Sequence, residues 1–517
     1  VTMWDAARFH ETLQRELTAA DDAAGVEGVL HHHATQLLQI LTAERHRPAS
    51  PDGEPAWGEL LNTIDMLRSH AHTLTQRDPE RFWSLWSVLL ALYATVAQRL
   101  SNHTRYRTHL AVAFARMGWL LQHAFDWFWQ RAHTIPEALW NALYRLYLAA
   151  NERRIVWKRV EDPLTRDGKT SLHERVAAVL ATFLVDPART PPPQLAAFRE
   201  LIESHAAYLQ IVPKNWLPSD DEAHHFGFSF HSWAPPRRNT SLDTSDLWVL
   251  DGVAMRNQLQ QPPASPATEA ASTGEPTVER AREALQQLLT QPPQRRSQRR
   301  ELGALEAVRL IQGWEAIHTA LAGRPFESRP GSTRSPYLQT QRIALFADGF
   351  DNAIETDRTE NRFRIWDKSA EGWQLMQPLT EGRALPDRFV PQQLVALQPS
   401  QAASEAKTWI LARIRWRLVR DAALHLGIQR FAYDRVIPLL ARPLSPIGSE
   451  PFPWSPAFLL IRSRDALDPW ETLLVPRHND PFPKQWELYA TPNERLILLT
   501  EQLETGFDYC WFAFRPL

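Results

Sequence analysis

The sequence predicts an α+β, multidomain protein: an N-terminal all-α array of helix hairpins, then a small antiparallel β-barrel and a second, C-terminal small β-barrel or sandwich. Three observations predict it. The chain has 517 residues, more than one core of ~250–300 residues can organise. Bulky apolar residues recur at helical spacing up to about residue 212. Beyond residue 300 they recur instead in short runs separated by turn residues.

Composition narrows the function classes. The formal charge is −2, from 57 basic and 59 acidic residues, so no nucleic-acid or membrane surface is spread over the whole protein. A single cysteine, Cys510, excludes an internal disulfide framework or a Cys-based metal cluster; it reads as a small buried hydrophobe in a reducing compartment. The first residues lack the basic and apolar segments of a signal peptide, and no apolar run approaches the ~18 residues of a membrane span. A soluble, cytoplasmic protein is expected. The 21 Trp and 39 Pro point to aromatic packing and interface anchors rather than chemistry.

Residues 1–215 are expected to form the helical array. Helical spacing links Phe82, Trp86, Leu89, Leu90 and Tyr93, then Trp119, Phe125 and Trp129, then Leu139, Leu143, Leu146 and Tyr147. Proline-bearing breaks at Pro48, Pro55, Pro79, Pro136 and Pro193 separate the helices. Such an array acts as a scaffold, so a partner protein or a second copy of the chain is the expected contact. Three histidine groups invite a metal reading: His31 to His33, His70 with His72, and His224-His225 behind Asp220, Asp221 and Glu222. Successive helical residues point ~100° apart, so three consecutive histidines do not converge on one ion. The third group reads as a charged loop at a domain edge, and no metal is expected.

Residues 216–260 read as a short strand around HHFGFSFHS followed by a helical connector over 241–260. Residues 261–277, QPPASPATEAASTGEPT, read as a flexible linker. The next domain, 278–440, begins with a helix over 278–290, and the Pro292-Pro293 pair stops it. A strand over 304–311, a helix over 314–321 and strands over 362–366, 394–397, 408–416 and 423–429 follow. After a proline-rich break, residues 441–517 carry the closely spaced strand candidates SPAFLLIR, ETLLVP, WELYA, ERLILLT and FDYCWFAF.

Two stretches carry binding chemistry. QRRSQRRE, residues 294–301, concentrates guanidinium groups suited to planar anionic ligands. RFRIWDKSAEGW, residues 362–373, reads as a strand ending in a tight turn that presents Asp367 and Ser369, with Gly372 allowing a positive φ and close backbone approach. An Arg fork matches guanine O6 and N7, a carboxylate accepts the opposite edge of the base, and further arginines pair with phosphodiesters. RxxxR recurs at Arg413 and Arg417, which on a strand reads as a solvated face.

Together the two stretches resemble the ligand signature of the PilZ domain, RxxxR followed by (D/N)xSxxG. The resemblance covers about residues 291–435 and implies a PilZ-like β-barrel with cyclic di-GMP as ligand. It makes Arg296 and Arg300 the arginine pair, with Arg295 a helper, and Asp367, Ser369 and Gly372 the second motif. The register Arg295 with Arg299 stands as an alternative. It also implies an insertion between Arg300 and Asp367. The function implied is that of a non-enzymatic, cytoplasmic cyclic di-GMP effector whose ligand modulates a protein partner in biofilm, motility or surface behaviour. The alternative is an interaction scaffold with a degenerate, non-binding barrel. Catalysis is not expected, because no P-loop, GxGxxG, GxSxG, HExxH or paired-Cys spacing occurs.

Overall fold

In a computed structural model the chain divides into two compact units, residues 1–130, 135–187 and 194–293 in one and 131–134, 188–193 and 294–517 in the other. The structure describes residues 6–20, 22–43, 57–77, 81–214, 225–230, 235, 237–238, 247–261, 276–290, 300–301, 306–324, 326, 361–369, 372–379, 389–399, 409–444, 452–463, 469–477, 483–490 and 493–517.

The first unit opens with helices α1 (Ala6–Ala19), α2 (Ala23–Ala43), α3 (Trp57–Arg77), α4 (Phe82–Leu100), α5 (Arg107–Gln130) and α6 (Glu137–Glu152). In α4 the residues Leu85, Leu89, Leu92, Tyr93, Val96 and Leu100 are buried at three- and four-residue spacing, the stripe expected of a core-facing helix. Helix α5 is buried on every side, from Leu110 and Ala111 through Trp119, Leu121 and Phe125, and contacts α3, α4 and α6. It is the centre of this core. After strands β1 (Val160–Glu161) and β2 (Lys169–Thr170), helix α7 (Leu172–Leu184) starts at Ser171, whose Oγ accepts from Glu174 N at 3.2 Å. Helix α8 (Pro192–His205) follows, and then an antiparallel sheet ordered β3-β6-β4-β5, built from β3 (Gln210–Pro213), β4 (His225–Ser229), β5 (Arg237–Arg238) and β6 (Leu247–Asp251).

Strand β6 corrects the sequence, which places 241–260 in one helix. Residues 247–251 pair with β3 on one side and β4 on the other, and the helix α9 (Val253–Leu259) begins only after Gly252. The partners of β6 are distant in sequence, so the local pattern holds no sign of the ladder they supply. Helix α10 (Pro276–Thr290) completes this unit. Its Leu285 and Leu289 join the same core as α9.

The second unit is built from two closed β-barrels. Strands β7 (Arg300–Glu301) and β8 (Ala307–Gln312) precede a helix, α11 (Trp314–Ala322). Then come β9 (Asn361–Lys368), β10 (Gly372–Pro378), β11 (Leu394–Pro399), β12 (Ile410–Arg420) and β13 (Ala423–Arg430). The order β10-β13-β12-β11-β8-β9 closes through pairing of β9 with β10, giving a six-stranded antiparallel barrel with β7 added to β9. The second barrel holds β14 (Arg435–Pro443), β15 (Ser455–Ser463), β16 (Pro469–Pro476), β17 (Gln485–Ala490), β18 (Asn493–Thr505) and β19 (Tyr509–Pro516), closed in the order β14-β15-β16-β19-β18-β17.

Period-two alternation fills each interior. Val308 and Leu310, Phe363 and Ile365, Trp373 and Leu375, and Leu424, Leu426 and Ile428 face into the first barrel. Leu439, Ala441, Leu473, Val475, Trp486, Leu488, Cys510 and Phe512 fill the second. Residues of the opposite parity, among them Leu394, Ala396, Leu411, Phe458, Leu460 and Leu474, pack with Trp314 and Ile317 of α11 into a third core. Trp314 stacks on Phe458 with centroids 5.2 Å apart. No helix among the described residues is long and apolar enough to cross a membrane.

Candidate functional site

Strand β9 is shared among three partners. Its first half pairs with β8, from Asn361 opposite Leu310 to Arg364 opposite Ala307. Its second half pairs with β10 along one edge, while Asp367 and Lys368 lie opposite Glu301 and Arg300 of β7 along the other. The closing strand of the barrel thus brings Arg300 beside the Asp367 turn. Arg295 and Arg296 lie outside the described residues.

The turn from β9 to β10 is fastened by its own motif residues. Ser369 N donates to Gly372 O at 2.8 Å, Ser369 Oγ donates to the same oxygen at 3.0 Å, and Gly372 N donates to Ser369 Oγ at 3.2 Å. Gly372 is required for a reason that differs in part from the sequence expectation. It is not among the glycines at positive φ; instead, a Cβ there would sit 2.2 Å from Ile428 O and 3.3 Å from Gln429 Cα of β13. Close approach of two backbones, not left-handed geometry, demands glycine.

A β-bulge sits just before the turn. Asp367 lies opposite Gln374 and Ile365 opposite Leu375, which leaves Trp366 as the extra residue. Leu375 and Ile365 are in the barrel core, so Asp367 and Gln374 share the outer face. Gln374 Nε2 lies 3.4 Å from His425 Nδ1, and the Trp366 and His425 rings meet edge to face at 6.4 Å. Trp366 is 47 % exposed and Asp367 is 9 % exposed. Farther round the same face, Trp416 lies across Gly427, where a Cβ would sit 2.0 Å from Trp416 Nε1.

The second RxxxR match is not a solvated face. Arg417 is buried and donates to Phe389 O at 3.2 Å. Arg413 donates to Gln429 Oε1 at 2.9 Å and to Tyr509 Oη at 3.2 Å, and pairs with Glu504. A bulge lies between the two arginines at Ile414/Trp416, and Tyr509 and Glu504 of the second barrel cover Arg413. Asp508, buried nearby, accepts from Leu394 N at 2.8 Å, and burial pushes its carboxyl up to about 7.

The helical unit contains a buried ionic network that no motif signals. Asp162 receives Arg68 Nη2 at 2.7 Å, Arg116 Nη1 at 3.0 Å and Arg175 Nη2 at 3.5 Å. Asp65 receives Arg116 Nε at 2.8 Å and the Tyr93 hydroxyl at 2.5 Å. Burial alone would raise Asp162, yet the three guanidinium groups hold its carboxyl below the usual range. These residues come from α3, α4, α5, α7 and the segment after β1, so only the folded core reveals the cluster. Its carboxylates are saturated by protein donors, and its chemistry is that of a tie between helices.

His33 meets Glu16 Oε2 at 2.9 Å, and His123 stacks on Trp119 with centroids 3.8 Å apart. Among the described residues, no group of three or more His, Cys, Asp and Glu is placed to hold a metal ion. His224 and the acidic residues before it lie outside the described residues.

Comparison with curated proteins and with solved structures finds no match to this chain. Residues 33–214, less than half of the chain, match the family described as cyclic-di-GMP receptor FimW, N-terminal domain.

Proposed function

We propose that this protein is a non-enzymatic cyclic di-GMP receptor of PilZ type that binds its ligand where β7, β9 and the Ser369–Gly372 turn meet. The observation that carries the reading is the register of β7 on β9, with Arg300 opposite Lys368 and Glu301 opposite Asp367. Paired strands run ~4.8 Å apart, so the end of RxxxR and the start of DxSxxG meet at one corner despite their separation in sequence. The likeness of residues 33–214 to the N-terminal domain of a cyclic-di-GMP receptor supports the same ligand independently.

In this reading Arg296 and Arg300, with Arg295 as helper, grip guanine and phosphodiester oxygens. Asp367 accepts from the guanine N–H edge, while Ser369 and Gly372 hold the turn that presents it. Recognition alone is required, with no bond made or broken. The protein then acts as a cytoplasmic effector whose occupied corner alters a protein contact. Equilibrium titration of the full chain with cyclic di-GMP tests this. Saturable binding, weakened in Arg296→Ala and in Asp367→Ala, is expected. Absence of binding up to the order of tens of micromolar, or equal affinity in both variants, refutes it.

One observation favours a second reading, that of an interaction scaffold. Trp157 in the helical unit is 54 % exposed, stacked on His173 at 3.4 Å, and flanked by exposed Arg153, Arg154 and Arg159. A rigid Trp among arginines has the make-up of a protein-binding hot spot. Loss of partner capture in Trp157→Ala with no response to cyclic di-GMP would favour the scaffold.

A further inference from the structure

We infer that Trp366 is a stacking platform for a purine base of the bound ligand and so sets the preference of the site for a nucleotide over other phosphodiesters; this rests on the reading given above. A large apolar side chain on the outside of a small barrel is expected to find cover, and neighbouring outward positions do. His425 and Trp416 lie against protein neighbours on this face, whereas Trp366 keeps nearly half its surface open. Its position is not incidental to the turn. The bulge that makes Trp366 the extra residue of β9 is also what sets Asp367 opposite Gln374 on the outer face. The half-exposed indole and the largely buried Asp367 are therefore consecutive on the strand, on Cα atoms ~3.8 Å apart.

The ring is also held. His425 meets it edge to face, and His425 in turn lies 3.4 Å from Gln374, so the indole is braced without being covered. A purine whose N–H edge reaches Asp367 lies beside this ring, and its flat face is the surface that indole covers best. Arg362 and Arg364, outward residues of the same strand, are exposed and add positive charge along the approach to it. The arginines and the carboxylate read edges and charge. A platform reads the presence of an aromatic base, which charge cannot do.

Calorimetric titration of the full chain with cyclic di-GMP tests the assignment at two salt concentrations. Base stacking on an aromatic side chain is worth ~1–3 kcal/mol, so Trp366→Ala is expected to weaken binding about 5- to 150-fold. Its salt dependence should match that of the parent, because no phosphate contact is lost. Trp366→Phe, which keeps an aromatic face, should recover most of the affinity. Unchanged melting of both variants shows that the fold is kept. If Trp366→Ala binds within about twofold of the parent while Asp367→Ala is impaired, the platform is refuted and the receptor reading stands. Equal losses in Trp366→Ala and Trp366→Phe also refute it. If the parent itself shows no saturable binding, the receptor reading fails and takes the platform with it.

Discussion

Replacing Gly372 by alanine should unseat the turn of the first barrel. The new Cβ would meet Ile428 O at 2.2 Å, with Ile428 C at 3.2 Å and Gln429 Cα at 3.3 Å. All three atoms are backbone, so no rotamer change relieves the clash. Restoring ordinary contact needs a separation of roughly 1 Å between β10 and β13, an overpacking strain of about 1–3 kcal/mol. The displaced pair, Gly372 opposite Gln429, ends the seven-residue β10–β13 ladder, and a weakened hydrogen bond there adds about 1 kcal/mol. The sum is about 2–4 kcal/mol, which in a unit of this size lowers its Tm by roughly 5–15 °C. Differential scanning calorimetry of the full chain reads this directly. A Tm within about 1 °C of the parent would show that β10 and β13 separate without penalty, and the requirement for glycine would have to come from elsewhere.

Three further outcomes follow from other parts of the molecule. Asp162→Ala leaves Arg68, Arg116 and Arg175 buried around a missing charge, so the helical unit should lose about 3–5 kcal/mol, measured by helical circular dichroism in urea. Folded Asp508 holds its proton up to about 7 against an ordinary 3.8, so its contribution is full below pH 3.8 and is lost as pH rises through about 7. Asp508→Asn should flatten that slope, as read by denaturant midpoints at a series of pH values. His173 behaves oppositely: burial lowers it from 6.5 to about 4, so its contribution is full above 6.5 and is lost as pH falls toward 4, a loss that His173→Gln should remove in the same titration.

The sequence made legible those elements whose burial follows from local periodicity. Residues 394–397 and 423–429 read as strands because they are short runs rich in apolar residues, and α5 reads as a helix through Trp119, Phe125 and Trp129. Elements whose character depends on distant partners were harder to read. Residues 247–251 look helical until β3 and β4 flank them. Strand β14, absent from the strands expected from sequence, carries Pro438 within its run. That residue is tolerated because β17 pairs only with Leu440–Pro443, so at Pro438 the strand has a single neighbour. The same limit applies to the site. Asp367, Ser369 and Gly372 are recognisable as a turn, but nothing local tells that Trp366 is a bulge residue or that Arg413 is enclosed while Arg362 is exposed. Those facts belong to register, which is settled only when strands pair.

The three-way pairing of β9 also bears on how such a site tolerates change. The chain between α11 and β9 enters the strand at Asn361, and the turn lies at the other end, beyond Lys368. At ~3.3 Å per residue these ends are roughly 23 Å apart. Lengthening the intervening segment would leave the turn in place and add only ~0.6 kcal/mol of closure entropy per doubling. Deleting one residue of β9 ahead of Ile365 with the bulge kept at Trp366, by contrast, would rotate Asp367 toward the barrel interior and Ile365 outward. Sequence distance between the two motifs is therefore a free variable of this architecture, whereas the parity of eight residues is not.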